Sequence, residues 1–461
     1  MRFLFLLILI LFFGCEDAEV KGCTDSAACN YNSNANTDDG SCYFGSDDFC
    51  DCYDSILDDC GDCDGEQYFS VLVSLQGTDS VGVVNANNLD IIDEVSLVDL
   101  INDVDCSDYS TQMECEMMGC MWHTMDNGMT HCMDMGMSMG LQPHDIAVDN
   151  TNGYWFTTTM MGGEVAMYCA KTNAFLSKAT IGNMPALMSI DENNMIIYVS
   201  QGNTSMGSTN NIYQISYANE MLDTENIVEW DVKFDYAHGI HFDEDSDYVY
   251  TVSKTNDFIA RFNPNEAQED YVNPEFVSMD STINEILDFE VNRLRPVEIE
   301  AKYPYMFITC SAGEWNNNNE WSDVPGQVQM WHMDDMTLLT TFEFEAESYP
   351  WHIVTSPTEN KVFVSLAGDN SGVACLEWND TDDNGDVVYT LSESWITTSA
   401  TYGTMHGITM IDGNIFASGR HDGNLYKFNA NTGEELGSTN VVSTISDIMT
   451  GGIGSYIPTC D

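Results

Sequence analysis

Histidine is scarce in this sequence, and four of the nine histidines recur in one local setting. His144, His238 and His406 each stand two residues before an isoleucine that opens a short apolar run, and His352 stands one residue before its isoleucine. An imidazole can ligate a transition metal, donate or accept a hydrogen bond, or carry a proton. If the fold gathers these segments, the side chains form either a metal site or a ring of hydrogen-bonding groups. The sequence leaves both open.

A second group of possible ligands is a methionine-rich stretch, which holds ten of the 27 methionines between residues 113 and 139. His123 and His131 lie in the same stretch. Thioethers and imidazoles are ligands that suit copper, so Met121, Met125, Met129 and these two histidines are candidate copper ligands. The alternative is a disulfide-stapled loop with methionine as an adaptable filler. Interleaved glycines argue against a stripe of core residues.

Cysteine and aspartate dominate the segment from 22 to 65, which we interpret as a small disulfide module. Its paired cysteines could hold zinc, but an oxidising compartment favours disulfides. Asp58, Asp59, Asp62 and Asp64 resemble part of an Asp-rich calcium loop, without its full twelve-residue ligand pattern. Of the 16 cysteines, 15 remain after Cys15, so at least one thiol is unpaired or bonds another chain.

The first 14 residues predict a secretory signal: a basic start, an apolar run and a small residue. The run is too short to span a bilayer. Phe13-Gly14-Cys15 resembles a lipobox, which implies acylation of Cys15 and a membrane anchor, with residues 15–21 as an acidic tether. That acidic stretch resembles the surface-export signal of some Gram-negative lipoproteins. We therefore expect the outer membrane or cell surface of a Gram-negative bacterium, and otherwise a periplasmic or secreted protein.

The charge balance excludes one class of partner. The chain carries 13 Lys and Arg against 75 Asp and Glu, a net charge of −62. Such a field repels phosphate backbones, so nucleic-acid binding is not expected. The acidity indicates either a solvated surface or cation binding at some Asp clusters, with calcium as the cation.

The elements that must position the histidines are short strands, because apolar runs alternate with Gly, Asn and Asp from residue 68 onward. Similar openings recur at irregular spacing, and they begin at Pro143, Pro185, Ala237, Pro296, Pro350 and Met405. Residues 68–97 supply three strands without an opening strand, and Ser446–Met449 supplies an opening strand without a blade. Joining the two ends closes a ring and removes exposed sheet edges.

This pattern resembles the YVTN/NHL-type propellers. The expected fold is all-β: a seven-bladed β-propeller over residues 66–461, with a Met/Cys/His-rich insert at 104–141. The cysteines of that insert resemble a PSI-type disulfide knot. The motif around Cys23, Cys29 and Cys42 resembles a short repeat of secreted bacterial proteins.

In such a ring the opening strands are innermost, and their early residues face one mouth of the channel. We expect the insert to overhang that mouth. The predicted column there is His144, Ala186, His238, Val297, Trp351, His406 and Ser446, with His352 one place out.

No Gly-x-Ser-x-Gly, His-Glu-x-x-His or phosphate-loop motif is present, which leaves three interpretations. A purely structural surface protein would need only the fold, and two functions remain beside it. The first is an anchored binding module for a protein, glycan or small molecule. The alternative is a copper-binding protein or cuproenzyme. Whether the chain is an enzyme stays open.

Overall fold

The computed structural model describes residues 20–25, 28, 32, 35–42, 68–97, 100, 121–124, 130–133, 140–182, 184–202, 211–233, 235–266, 275–279, 294–312, 325–382, 384–442 and 449–458. These residues divide into two compact units, with the boundary between Tyr68 and Phe69. Within the described ranges there is no α-helix, and therefore no helix long and apolar enough to cross a membrane.

The N-terminal unit is small. A parallel pair joins β1 (Lys21–Gly22) to β2 (Thr37–Asp38), and a disulfide links Cys23 to Cys42. This bond confirms that the N-terminal cysteines include a disulfide. The other cysteines of residues 43–67 lie outside the described residues.

The second unit consists of seven antiparallel blades. Six blades have four strands, and one has a fifth, short strand. Blade 1 holds β3 (Ser70–Leu75), β4 (Ser80–Asn85) and β5 (Ile91–Ser96). A separate hairpin follows, formed by β6 (Met121–Thr124) and β7 (Thr130–Met133). Blade 2 holds β8 (Pro143–Asp149), β9 (Tyr154–Thr159), β10 (Glu164–Cys169) and β11 (Phe175–Thr180). Blade 3 holds β12 (Pro185–Asp191), β13 (Ile196–Gln201), β14 (Asn211–Ala218), the short β15 (Met221–Leu222) and β16 (Val228–Asp231).

The remaining blades follow the same order. Blade 4 holds β17 (Ala237–Asp243), β18 (Tyr248–Ser253), β19 (Phe258–Phe262) and β20 (Glu275–Ser278). Blade 5 holds β21 (Pro296–Lys302), β22 (Tyr305–Cys310), β23 (Gln327–His332) and β24 (Thr337–Glu343). Blade 6 holds β25 (Pro350–Thr355), β26 (Lys361–Leu366), β27 (Gly372–Thr381) and β28 (Val387–Thr398). Blade 7 holds β29 (Met405–Ile411), β30 (Asn414–Gly419), β31 (Asn424–Asn429) and β32 (Glu435–Asn440).

The ring closes as the sequence predicts, by pairing the C-terminal segment with the N-terminal blade. Strand β33 (Thr450–Tyr456) pairs antiparallel with β3 and becomes the inner strand of blade 1. The closing strand begins at Thr450, so the predicted strand at Ser446–Met449 is wrong in position. Two glycines follow Thr450. Because glycine is uncommon in strands, the sequence does not mark this segment as one.

Strand and turn chemistry follow the repeat. Asp149, Asp191 and Asp243 end the inner strands of blades 2 to 4, and each carboxylate accepts a backbone N–H three residues later at 2.8–2.9 Å. This Asx turn reverses the chain into the second strand. The core lies between neighbouring blades, where Val, Ile, Leu and aromatic side chains of adjacent sheets pack together.

Candidate functional site

Every inner strand carries the same irregularity near its start. The first residue of the strand pairs with the last residue of the second strand, and then one extra residue is inserted on the inner strand. Such bulges re-aim side chains and recur near binding sites. The second residue of each inner strand forms a column around the channel, which reads His144, Ala186, His238, Val297, Trp351, His406 and Gly451.

The column confirms six of the seven predicted positions. The seventh is Gly451 and not Ser446, which lies outside the described residues. A side chain at Gly451 would not fit, because a Cβ there would lie 2.4 Å from the Ser74 hydroxyl and 2.7 Å from the carbonyl of His144.

A chain of hydroxyl groups supports this column from the second strands. In six blades the Ser or Thr opposite the bulge donates to the column carbonyl of the next blade, at 2.5–3.2 Å; these residues are Ser74, Thr158, Ser200, Thr309, Ser365 and Ser418. In blade 4 the position is Val252, which has no hydroxyl. There the Nδ1 of His238 lies 2.7 Å from the carbonyl of Val297 and replaces the missing bond.

Three histidines of the column gather at one place. His144 lies 6.3 Å from His238 and 6.0 Å from His406 between ring centres, and all three side chains are buried. The pKa of His144 falls to about 3, mainly through burial and then through electrostatic interaction with neighbouring histidine and basic side chains. Burial likewise lowers the pKa of His238 and His406, with Lys254 and Arg420 as the next largest causes. The three imidazoles are therefore neutral at pH 7.

Above these imidazoles lies a cavity of about 470 Å³, which we call the cationic cavity. His144, His238, His406 and Trp351 line it, together with three basic residues that the sequence analysis missed: Lys254, Arg295 and Arg420. Lys254 and Arg420 directly follow the second strands of blades 4 and 7, and Arg295 directly precedes the inner strand of blade 5. The repeat therefore places three of the chain's 13 basic residues at one mouth of the channel.

Backbone conformation aims several of these side chains. Tyr236, Arg295 and Tyr349 immediately precede inner strands and line the cationic cavity, and their φ angles are 54°, 54° and 44°. A positive φ is uncommon for residues other than glycine and costs free energy. Gln142 and Met184 adopt the same conformation at the equivalent positions. The turn thus precedes five of the seven inner strands, and in three of them it places a side chain in the lining of the cationic cavity.

Lys254 and Arg420 have no acidic partner in the part of the chain that the structure describes. The Lys254 ammonium instead lies 4.1 Å from the centre of the Trp351 ring, a cation–π contact. Burial, followed by repulsion from Arg295 and Arg420, lowers the pKa of Lys254 from 10.5 to about 7. Burial also lowers the pKa of Arg420. This cluster of cations is therefore poised to accept a negative charge.

The other half of the channel has the opposite character. Asp145, Glu298 and Glu300 line a second cavity of about 340 Å³, the acidic cavity. His352 belongs to this half, because its Nδ1 lies 3.0 Å from the Glu298 carboxylate and its ring lines the same cavity. Burial raises the pKa of Asp145 to about 6. One residue of offset in the repeat thus moves His352 from the cationic side to the acidic side.

The structure describes only some of the other predicted metal ligands. His123 and His131 are directly opposed in the register of β6 and β7, and Met121 begins that hairpin. Met125 and Met129 lie outside the described residues, as do Cys15 and Asp58, Asp59, Asp62 and Asp64. Among the residues that are described, no group of three His, Cys, Asp or Glu side chains is placed to hold a metal ion. Copper and calcium binding stay predictions.

Comparison with known proteins supports the fold of this chain and not a particular activity. No family model matches the chain, and no curated protein matches it. A protein of unknown function from Desulfotomaculum acetoxidans is similar in structure, with 13% identity and a TM-score of 0.55 over 85% of this chain and 100% of that one. The periplasmic gluconolactonase PpgL of Pseudomonas aeruginosa is similar at 11% identity and a TM-score of 0.52, over 85% and 99%. As 1312 solved chains match, the likeness establishes the seven-bladed propeller and leaves the activity open.

Proposed function

We propose that this chain is an exported, membrane-anchored binding module that holds a small organic anion in the cationic cavity. One observation carries the proposal: Lys254 and Arg420 face a common cavity without an acidic partner among the described residues. In a chain with a net charge of −62, two half-buried cations without an acidic partner among the described residues are destabilising unless a ligand compensates them.

The surroundings suit a small molecule better than a macromolecule. Aromatic rings of Tyr236 and Trp351 supply apolar walls, and neutral imidazoles supply a polar floor. A largely preformed concave site with a few converging polar groups is typical of small-ligand pockets. One of the structural neighbours is named as a periplasmic gluconolactonase. At 11% identity this is no argument for the same reaction here.

Isothermal titration calorimetry with inorganic phosphate, succinate and citrate tests the proposal. We expect Lys254→Met and Arg420→Met each to weaken binding roughly tenfold or more, since a hydrogen bond to a charged group contributes about 1.5–3 kcal/mol. Lys233→Met is the matched control, because Lys233 is exposed and pairs with Asp231. Failure of the wild-type protein to bind any anion of the panel would contradict the proposal.

Two further measurements address the parts that the fold does not test. Detergent-phase partition of the wild type, and its loss in Cys15→Ser, would support the anchor; partition that is unchanged in the variant would contradict acylation. Metal analysis after incubation with copper addresses the alternative function. The electrostatics disfavour copper at the hub, since the cations that lower the histidine pKa values also repel a metal ion.

A further inference from the structure

The exception in blade 4 fixes the hydrogen on one hub imidazole. Six blades use a hydroxyl to satisfy the column carbonyl of the next blade, but Val252 cannot, and the Nδ1 of His238 lies 2.7 Å from the carbonyl of Val297 instead. A carbonyl oxygen only accepts hydrogen bonds, so Nδ1 must carry the hydrogen. Because this imidazole is neutral, its Nε2 then has a lone pair and no hydrogen.

That nitrogen is available to a ligand. His238 lines the cationic cavity, and its Nε2 has no hydrogen-bond partner among the described residues. This nitrogen is not sealed from solvent either, so it faces the open space of the cavity. The Nε2 of His238 thus offers an acceptor in a cavity that also holds the cationic donors Lys254, Arg295 and Arg420.

The donor that satisfies this acceptor is constrained by its neighbours. The charge of Lys254 is the largest electrostatic influence on His238 after burial. The same charge opposes a cationic donor such as an ammonium group at this point. A neutral hydroxyl meets both demands. It can donate to the Nε2 of His238 while the negative group of the same ligand compensates Lys254 and Arg420.

We propose that the ligand of the cationic cavity is a hydroxy acid, with a hydroxyl that donates to the Nε2 of His238 and a carboxylate or phosphate that pairs with Lys254 and Arg420. This rests on the proposed function, because it specifies the ligand of the same cavity. An anion without the hydroxyl would displace water from the nitrogen and leave the acceptor unpaired.

The experiment compares matched anions that differ by one hydroxyl: malate with succinate, citrate with tricarballylate, and lactate with propionate. Calorimetry on the wild-type protein is expected to show tighter binding of the hydroxylated member in at least one pair, by roughly ten- to a hundredfold. Equal affinities within every pair that binds would overturn the hydroxy-acid assignment and leave anion binding intact. If no member of any pair binds, anion binding itself fails and the assignment fails with it.

Two variants locate the effect at His238. In His238→Asn the side-chain amide can still donate to Val297 but offers nothing in place of Nε2, so the ratio of affinities within each matched pair is expected to fall to about one. Val252→Thr supplies the missing hydroxyl for Val297 and releases the Nδ1 of His238, so the preference is expected to shrink. Full preference retained in both variants would place the hydroxyl elsewhere and overturn the assignment.

Discussion

Lys254 shows how a single residue can be tuned by its surroundings. Its ammonium lies over the Trp351 ring, near Arg420, and its pKa falls to about 7 because burial and like charges disfavour the protonated form. An anion in the cavity would reverse both influences and raise this pKa. Ligand binding is therefore expected to take up a proton near neutral pH.

The pH dependence follows from this sign. As pH rises through about 7, Lys254 loses its charge in the empty cavity, so anion affinity is expected to fall by at most about tenfold per pH unit. Calorimetry between pH 6 and 9, in buffers of different ionisation enthalpy, measures both the affinity and the proton uptake. Lys254→Arg is the control, because its guanidinium stays protonated and should remove most of the dependence. A parallel pH profile in the variant would contradict the role of Lys254.

The same residue affects stability without ligand. Between pH 7 and 10.5 the unfolded chain keeps the Lys254 proton that the folded chain has released. Because the unfolded state then binds more protons, this residue makes the free energy of unfolding rise with pH across that window. Below the window both states are protonated, and the cost of the buried charge is fully present.

Among the strands, all seven inner strands carry the same bulge, and in six blades a hydroxyl on the second strand lies opposite it. Each hydroxyl bonds a backbone carbonyl of the next blade, so it links neighbouring sheets at the hub. This link fixes the position of the column residues against the channel. Precision at the hub therefore depends on side chains that do not themselves touch the cavity.

Removal of one hydroxyl tests that role. Ser365 is fully buried and donates to the carbonyl of His406 at 2.6 Å, so Ser365→Ala leaves a buried acceptor unpaired. We expect the free energy of unfolding to fall by about 1–3 kcal/mol in chemical denaturation. Ser392→Ala, at an exposed position on β28, is the control. A loss no larger than that of the control would contradict a supporting role for the hydroxyl.

The sequence predicts these elements unevenly, for physical reasons. All six openings begin at the predicted residues because proline, alanine or methionine at the start of a buried run is a local signal. The positive-φ turns at Tyr236, Arg295 and Tyr349 leave no such signal, since glycine or asparagine ordinarily marks that conformation. Arg295 was missed for the same reason, whereas alignment of the residue after each second strand would have placed Lys254 and Arg420 in equivalent positions.

For the whole molecule, closure was predictable because the two chain ends lack complementary parts of one blade. The closing strand was misplaced because its glycines, required by the close approach of Ser74 and His144, look unlike a strand. The division of the channel into oppositely charged halves was not predictable from the sequence. It depends on Lys254, Arg295 and Arg420 meeting in one cavity and Asp145, Glu298 and Glu300 in the other, which only the folded ring defines.

The cationic cavity lies within a chain of strongly negative net charge, and this has a kinetic consequence. An approaching anion is repelled at long range and attracted only after it enters the channel. Added salt screens the long-range repulsion between the anion and the negative surface. It screens the short contacts of the bound anion with Lys254 and Arg420 much less. Stopped-flow association of an anion is therefore expected to speed up as sodium chloride rises from low to physiological concentration, with Lys233→Met as the control. A rate that falls with salt would mean that the entrance attracts anions from afar; the predicted barrier instead favours slow, selective capture over rapid exchange.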